Sequence, residues 1–193
     1  MATSPGWPAS PPDLIGKQLE LLKEVVPKVS WVAVLQNPSN HGHPPQLRQA
    51  DGAARALGVQ LHIVRAGSPA EIDAAFATMN GQRVGGVLVL RDPLFRTQRT
   101  QIAGLAVKSR IPAVYGNREF AEAGGLIAYG VNNSQLSRRA ATYVDKILKG
   151  AKPADLPVEQ PTSFDLVINL KTANAAGQTI PPSLLQRADK VIE

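Results

Sequence analysis

Apolar positions along this chain fall into two alternating spacings. Over residues 14–25, Leu14, Leu19, Leu21, Leu22 and Val25 recur on one stripe, as in an amphipathic helix, and Pro27 stops it. Asp13 is placed to cap that helix. Residues 31–35 are continuously apolar, which predicts a strand buried on both faces. Helical spacing returns from about Pro45 with Leu47, Ala50, Ala54 and Leu57, and Gly58 supplies the stop. Residues 59–64 read as a second strand. Ser68-Pro69-Ala70-Glu71 is a capping box with proline at the first helical position, opening a helix that buries Ile72, Ala75, Phe76 and Met79. Residues 84–90 form a third strand. Asp92-Pro93 then caps one helix carrying Phe95, Ile102, Leu105 and Ala106. Residues 111–115 and 126–129 complete five short strands separated by helices. This cadence predicts an α/β fold: a three-layer parallel sheet flanked by helices.

The last seventy residues change the pattern. A helix over 134–150 puts Leu136, Ala140, Tyr143, Val144, Ile147 and Leu148 on one face. A proline-studded segment, 151–161, is expected to cross back as a hinge strand. A strand over 164–170 and a helix led by Pro181-Pro182 then return to the first unit. The expected organisation is a disordered proline-rich arm (1–12), an α/β ligand-binding lobe (13–131), a helix with a hinge crossover (132–161) and a returning strand and helix (162–193).

Composition removes several classes of function. The 193 residues are 44% hydrophobic, enough for a real core. The formal charge of +6, from 21 basic and 15 acidic residues, is scattered, with no basic stripe or aromatic interleaving, so nucleic acid is not expected as a partner. There is no cysteine for a disulfide, thiolate catalysis or metal site. His41, His43 and His62 lack the companions that a metal site needs, so no metal is expected. No nucleophile elbow, phosphate loop or dinucleotide fingerprint occurs; neither an enzyme nor a cofactor is expected. No apolar run reaches the roughly 20 residues that span a bilayer. The amino terminus lacks the basic and apolar regions of a signal peptide, which as written implies the cytoplasm.

In an open parallel α/β sheet, ligands meet the carboxyl ends of the strands. Those ends hold Asn37 and Ser39, Arg65, Arg91 and Asp92, Tyr115, Asn117 and Glu119, and Tyr129 and Asn132. The candidate ligand-binding set is Asn37, Ser39, Asp92, Tyr115, Asn117, Glu119, Tyr129 and Asn132. Asp92 or Glu119 suits an ammonium, Arg65 or Arg91 a carboxylate, and the two tyrosines stacking. Each has a structural competitor. Asp92 precedes Pro93 as a helix cap, Asn37-Pro38 shapes a turn, the tyrosines end core strands, and the arginines suit solvent.

Longer stretches carry a family resemblance. Residues 138–161, beginning Arg138-Arg139-Ala140-Ala141-Thr142-Tyr143 and closing on Leu156-Pro157-Val158-Glu159-Gln160-Pro161, are one. Phe164-Asp165-Leu166-Val167-Ile168-Asn169-Leu170 and Ile180-Pro181-Pro182-Ser183-Leu184-Leu185 are others. With Gly16-Lys17-Gln18 and Val32-Ala33-Val34-Leu35-Gln36-Asn37-Pro38, the match covers roughly residues 13–193. The chain resembles the substrate-binding proteins of ABC transporters, in the tryptophan-binding-protein-like group with the type I periplasmic binding fold. The resemblance implies a small polar organic ligand, an amino acid or similar, held in an interlobe cleft. It also implies a membrane permease as partner and a periplasmic location. It implies that the helix over 134–149 packs on another lobe. Most of that amino-terminal lobe is expected to be missing, leaving a half-site that binds weakly and a helix face open to homodimer formation. The alternative is a cytoplasmic ligand-sensing domain of the same fold.

Overall fold

The computed structural model describes residues 14–157, 161 and 163–193. The proline-rich arm, the Asp13 cap and part of the expected hinge crossover lie outside the described residues.

Nine helices and seven strands follow one another among the described residues. Helix α1 (Leu14–Val25) precedes β1 (Trp31–Gln36), α2 (His43–Leu57) and β2 (Gln60–Arg65). Then come α3 (Pro69–Gly81), β3 (Gly86–Val89), α4 (Pro93–Thr97), α5 (Arg99–Lys108) and β4 (Ala113–Tyr115). The order continues through α6 (Arg118–Glu122), β5 (Ile127–Val131) and α7 (Asn133–Leu148). It closes with β6 (Phe164–Asn169), α8 (Leu170–Ala175), α9 (Pro182–Gln186) and β7 (Lys190–Ile192).

The strands form one sheet in the order β2-β1-β3-β4-β5-β6-β7. The first five run parallel, as their helical crossovers require. Strand β6 is antiparallel to β5, and β7 is parallel to β6, so the sheet is mixed. The excursion through α7 brings the chain back at the same end of the sheet it left, which reverses β6.

Alternation along the strands builds the two cores. Val32, Val34, Leu88, Leu90, Val114 and Ile127 face α1 and α2, with Leu184 of α9 beyond them. Their neighbours Ala33, Leu35, Val87, Val89, Ala113 and Ala128 face α3, α4, α5 and α6. The result is helix, sheet, helix.

Local chemistry accounts for the boundaries. Gly58 closes α2 at a φ of 63°, a left-handed turn that a side chain resists. Ser68 Oγ accepts from the Glu71 N–H at 3.3 Å, while Glu71 Oε2 accepts from the Gly67 N–H at 2.7 Å. Asp92 Oδ1 accepts from the N–H groups of Leu94 and Phe95.

Several expectations need correction. Helix α2 starts at His43, two residues before Pro45, because two prolines fit its first turn without losing a hydrogen bond. The single helix after Asp92 is two, broken at Gln98. Residues 153–155 form a short 3-10 turn within the expected hinge strand. Trp31 stays 47% exposed at the start of a strand that is otherwise buried through Leu35. Helix α8 and strand β7 were not anticipated; both are six residues or fewer, too short for periodicity to show. Helix α7 has no buried residue among the described residues.

Candidate functional site

The strand order reverses beside β1, which sends the chain to β2 on one side and receives β3 on the other. Crevices form where loops part in this way. Here the two loops are tied together by Asp92, a buried carboxylate. Its Oδ2 accepts from the side-chain amides of Asn40, at 2.7 Å, and Asn37, at 3.2 Å. Its Oδ1 already holds the first turn of α4. Behind it His43 is fully buried. The imidazole accepts the Asn37 N–H at Nδ1, 3.1 Å away, and its Nε2 donates to the Arg91 carbonyl at 3.2 Å. A ring acting as acceptor at one nitrogen must donate from the other, so the two contacts fix the tautomer.

Beyond this knot opens a cleft of about 680 Å³, of the size that takes a small organic ligand. Leu14, Ile15 and Leu136 give it apolar wall. Gln18, Gln46 and Gln49 add amides; Arg91, Arg96, Asp92 and Glu119 add charge; Asn117, Asn133 and Ser137 complete the rim. Desolvation lowers the Arg91 guanidinium from its ordinary value; the Glu119 carboxylate opposes that and nearby Arg96 adds to it. Thus the cleft carries both signs of charge at close quarters. The stem of Arg91 lies against Gly116, where a Cβ would come 2.9 Å from Arg91 Cδ.

Of the eight candidate residues, the structure brings Asp92, Asn117 and Glu119 together on the cleft. Asp92 is occupied by protein donors, whereas Asn117 begins α6 without spending its side chain on a cap bond. Asn37 stands behind Asp92 as its partner. Ser39 is exposed in the same loop, its N–H donating to Asn37 Oδ1. Tyr115 is fully buried with its ring 4.6 Å from that of Phe120, and burial raises its phenol above the ordinary value. Tyr129 packs towards Phe164 at 6.1 Å, and its carbonyl accepts from Gln18. Asn132 caps α7 and donates to Asp165 at 2.8 Å. Arg65 does not reach the cleft, while Arg91 does.

Strand-end reasoning missed the glutamines of α1 and α2 and the first turn of α7. One signal was available. Gln18 is a polar residue among Leu14, Leu19, Leu21 and Leu22 of α1, and only 1% exposed.

The family profile of the ABC transporter substrate binding proteins matches residues 10–192. The chain belongs to that family. Members are solute-binding proteins, not enzymes; they bind small molecules, work with ABC permeases and are normally periplasmic or extracytoplasmic. No helix among the described residues is long and apolar enough to cross a membrane. Among similar solved structures is an ABC domain from Streptococcus pneumoniae in complex with L-Trp, 28% identical with a TM-score of 0.83. The match covers 92% of this chain and 60% of that one. A conserved domain protein from Vibrio cholerae is 25% identical, with the same TM-score and the same coverages. A tyrosine-binding protein of Clostridioides difficile is 22% identical over 161 residues, 83% of this chain and 46% of the relative. The chain therefore spans about half the length of that curated relative or less.

Proposed function

We propose that this chain forms one wall of a cleft that captures a small amphoteric organic solute, an amino acid or similar, for an ABC-type uptake transporter. One observation carries the reading. Arginines 91 and 96 and the Glu119 carboxylate share a cleft with amides, the Ser137 hydroxyl, an aliphatic wall and the Asp92 carboxylate, which protein donors already fill. Guanidinium groups suit a carboxylate, Glu119 suits a cation, and Leu14, Ile15 and Leu136 suit an apolar side chain. The L-Trp bound in the S. pneumoniae relative and the name of the C. difficile tyrosine-binding protein support an aromatic amino acid.

In this reading Gln18, Arg91, Arg96, Asn117 and Glu119 meet the ligand, while Asn37, Asn40, His43 and Asp92 hold the wall in place. Closure of a second lobe over the cleft would complete the site, with α7 and the segments beside it as the hinge region. The partner is a membrane permease, and the working location is extracytoplasmic.

The test is a titration of the isotopically labelled chain with the twenty amino acids, followed by nuclear magnetic resonance. Aromatic amino acids are expected to shift the amide resonances of Arg91, Asn117, Glu119 and Leu136 with millimolar to micromolar affinity. Resonances that stay in place at millimolar ligand sink the proposal.

A further inference from the structure

A second concavity lies at the opposite end of the sheet from the cleft. Helix α1 begins in the cleft wall with Leu14 and Ile15 and ends at Val25, about 18 Å away at 1.5 Å per residue. The next residue, Val26, lines a groove of about 460 Å³ at the amino-terminal ends of β1 and β3. Its lining includes Lys28, Val29, Trp31, Arg83 and Gly85. The main chain around it is tied down. The Gly85 N–H donates to the Trp31 carbonyl and the Val29 N–H to the Val26 carbonyl, both at 2.9 Å. A Cβ on Gly85 would come 2.8 Å from Val29 Cγ2.

The chemistry of this groove is one-sided. Trp31 keeps about half of its surface in water, although β1 is buried from Val32 to Leu35. Lys28 and Arg83 are exposed and form no ion pair among the described residues, and no carboxylate lines the groove. An exposed indole thus stands beside two unpaired cations. Tryptophan and arginine are the residue types that most often anchor protein interfaces. Two cations are too few for an anionic membrane surface, which is recognised by clusters of about four to eight. Nucleic acid would need a basic stripe. Residues 1–13 of the chain itself do not suit the groove: their one acidic residue is Asp13, which adjoins α1 at the cleft end.

We infer that this groove docks an acidic segment of a partner protein, with an apolar ring of that segment against Trp31 and its carboxylates on Lys28 and Arg83. Charge complementarity carries the assignment. Covering the indole removes apolar area from water, and the carboxylates supply the counter-charge that the groove lacks. The groove and the cleft lie at opposite ends of the sheet, so docking leaves the cleft open. The protein can hold its partner and a solute together.

Two peptides test it on the isotopically labelled full chain by nuclear magnetic resonance: acetyl-Glu-Asp-Pro-Trp-Asp-Glu-amide and its charge-reversed control, acetyl-Lys-Lys-Pro-Trp-Lys-Lys-amide. The acidic peptide is expected to shift the Trp31 indole N–H and the backbone resonances of Lys28, Arg83 and Gly85. The basic peptide should leave them in place. Arg83 sits at a φ of 53° in the turn that ends α3, so Arg83→Gly removes the charge and relaxes the backbone, and the variant should stay folded. It is expected to weaken the acidic peptide about three- to tenfold. Groove resonances unmoved at millimolar acidic peptide, equal binding of the two peptides, or an affinity unchanged by Arg83→Gly each overturn the inference. So does sedimentation with phosphatidylglycerol vesicles, or self-association in ultracentrifugation, that Arg83→Gly abolishes. The groove would then serve a membrane surface or a second copy of the chain.

Discussion

The Nε2–H of His43 donates to the backbone carbonyl of Arg91, 3.2 Å away, and so joins the start of α2 to the loop after β3. The residue before Asp92 is thereby held by its main chain while its side chain reaches the cleft. Replacing His43 with leucine keeps the volume and deletes both hydrogen bonds, leaving the Asn37 N–H without its acceptor. The expected cost is about 2–4 kcal/mol, read as a lower urea midpoint. Unchanged stability would show that the bridge is ornamental.

Asp92 and Glu119, two carboxylates of one cleft, should behave oppositely on substitution. Asp92→Ala removes the acceptor of two side-chain amides and the cap of α4, and is expected to destabilise by about 2–4 kcal/mol. Glu119→Gln should leave stability within about 0.5 kcal/mol while altering ligand binding. Thermal unfolding of both variants measures the contrast.

Gly116, in the loop after β4, and Gly130, within β5, lie against one another with no room for a side chain. A Cβ on Gly130 would overlap the Gly116 carbonyl, a backbone group that cannot step aside. Gly130→Ala is expected to cost about 3 kcal/mol or to prevent folding. At Gly116 the obstacle is the stem of Arg91, a flexible side chain. Gly116→Ala should therefore stay folded and displace the guanidinium, weakening binding of a carboxylate-bearing ligand; equal affinity would argue against the assigned role of Arg91.

Glu122 accepts from Arg118 at 3.0 Å and from Lys190 at 3.2 Å. The hydrogen bond from Arg118, and then Lys190 and the two charges, hold its carboxyl below its ordinary value of 4.5 against a smaller desolvation effect. A carboxyl depressed in the folded state binds fewer protons than in the unfolded chain. Its contribution is thus present above pH 4.5 and is lost as the pH falls through the depressed value. Solvent screening keeps it below about 1 kcal/mol. The stability gap between the parent and Glu122→Gln should be largest near neutrality and close on acidification.

Leu136, Val144, Ile147 and Leu148 stand between 41% and 81% exposed along α7. Substituting Val144 and Leu148 with serine deletes no described packing, so the unfolding free energy should change by less than about 0.5 kcal/mol. A larger loss, especially one that depends on protein concentration, would show that this face is covered in solution.

The legible parts of this fold were those in which local chemistry acts alone. The strands β1 and β3 showed because residues buried on both faces must be apolar throughout. The caps at Ser68 and Asp92 and the stop at Gly58 showed because turn geometry restricts residue type. The site was legible in part. Asp92, Asn117 and Glu119 follow from their place after strands, whereas Gln46, Gln49 and Ser137 reach the cleft from helices whose orientation no local pattern records.

The residue pattern by itself determined the layered α/β architecture and the family, and it offered the strand ends as candidates for a site. Hydrophobic periodicity and turn chemistry act over a few residues, and both can be read along the chain. Tertiary structure alone decided that Asp92 serves the protein and that one oxygen each of Gln18 and Glu119 has no hydrogen-bond partner among the described residues. Asp92 differs because Asn37 and Asn40, more than fifty residues away, converge on it. Gln18 differs because Tyr129, 111 residues on, takes its donor and leaves its acceptor. Whether a polar side chain is available to a ligand depends on which partners the fold carries to it, and that is a property of distance in space.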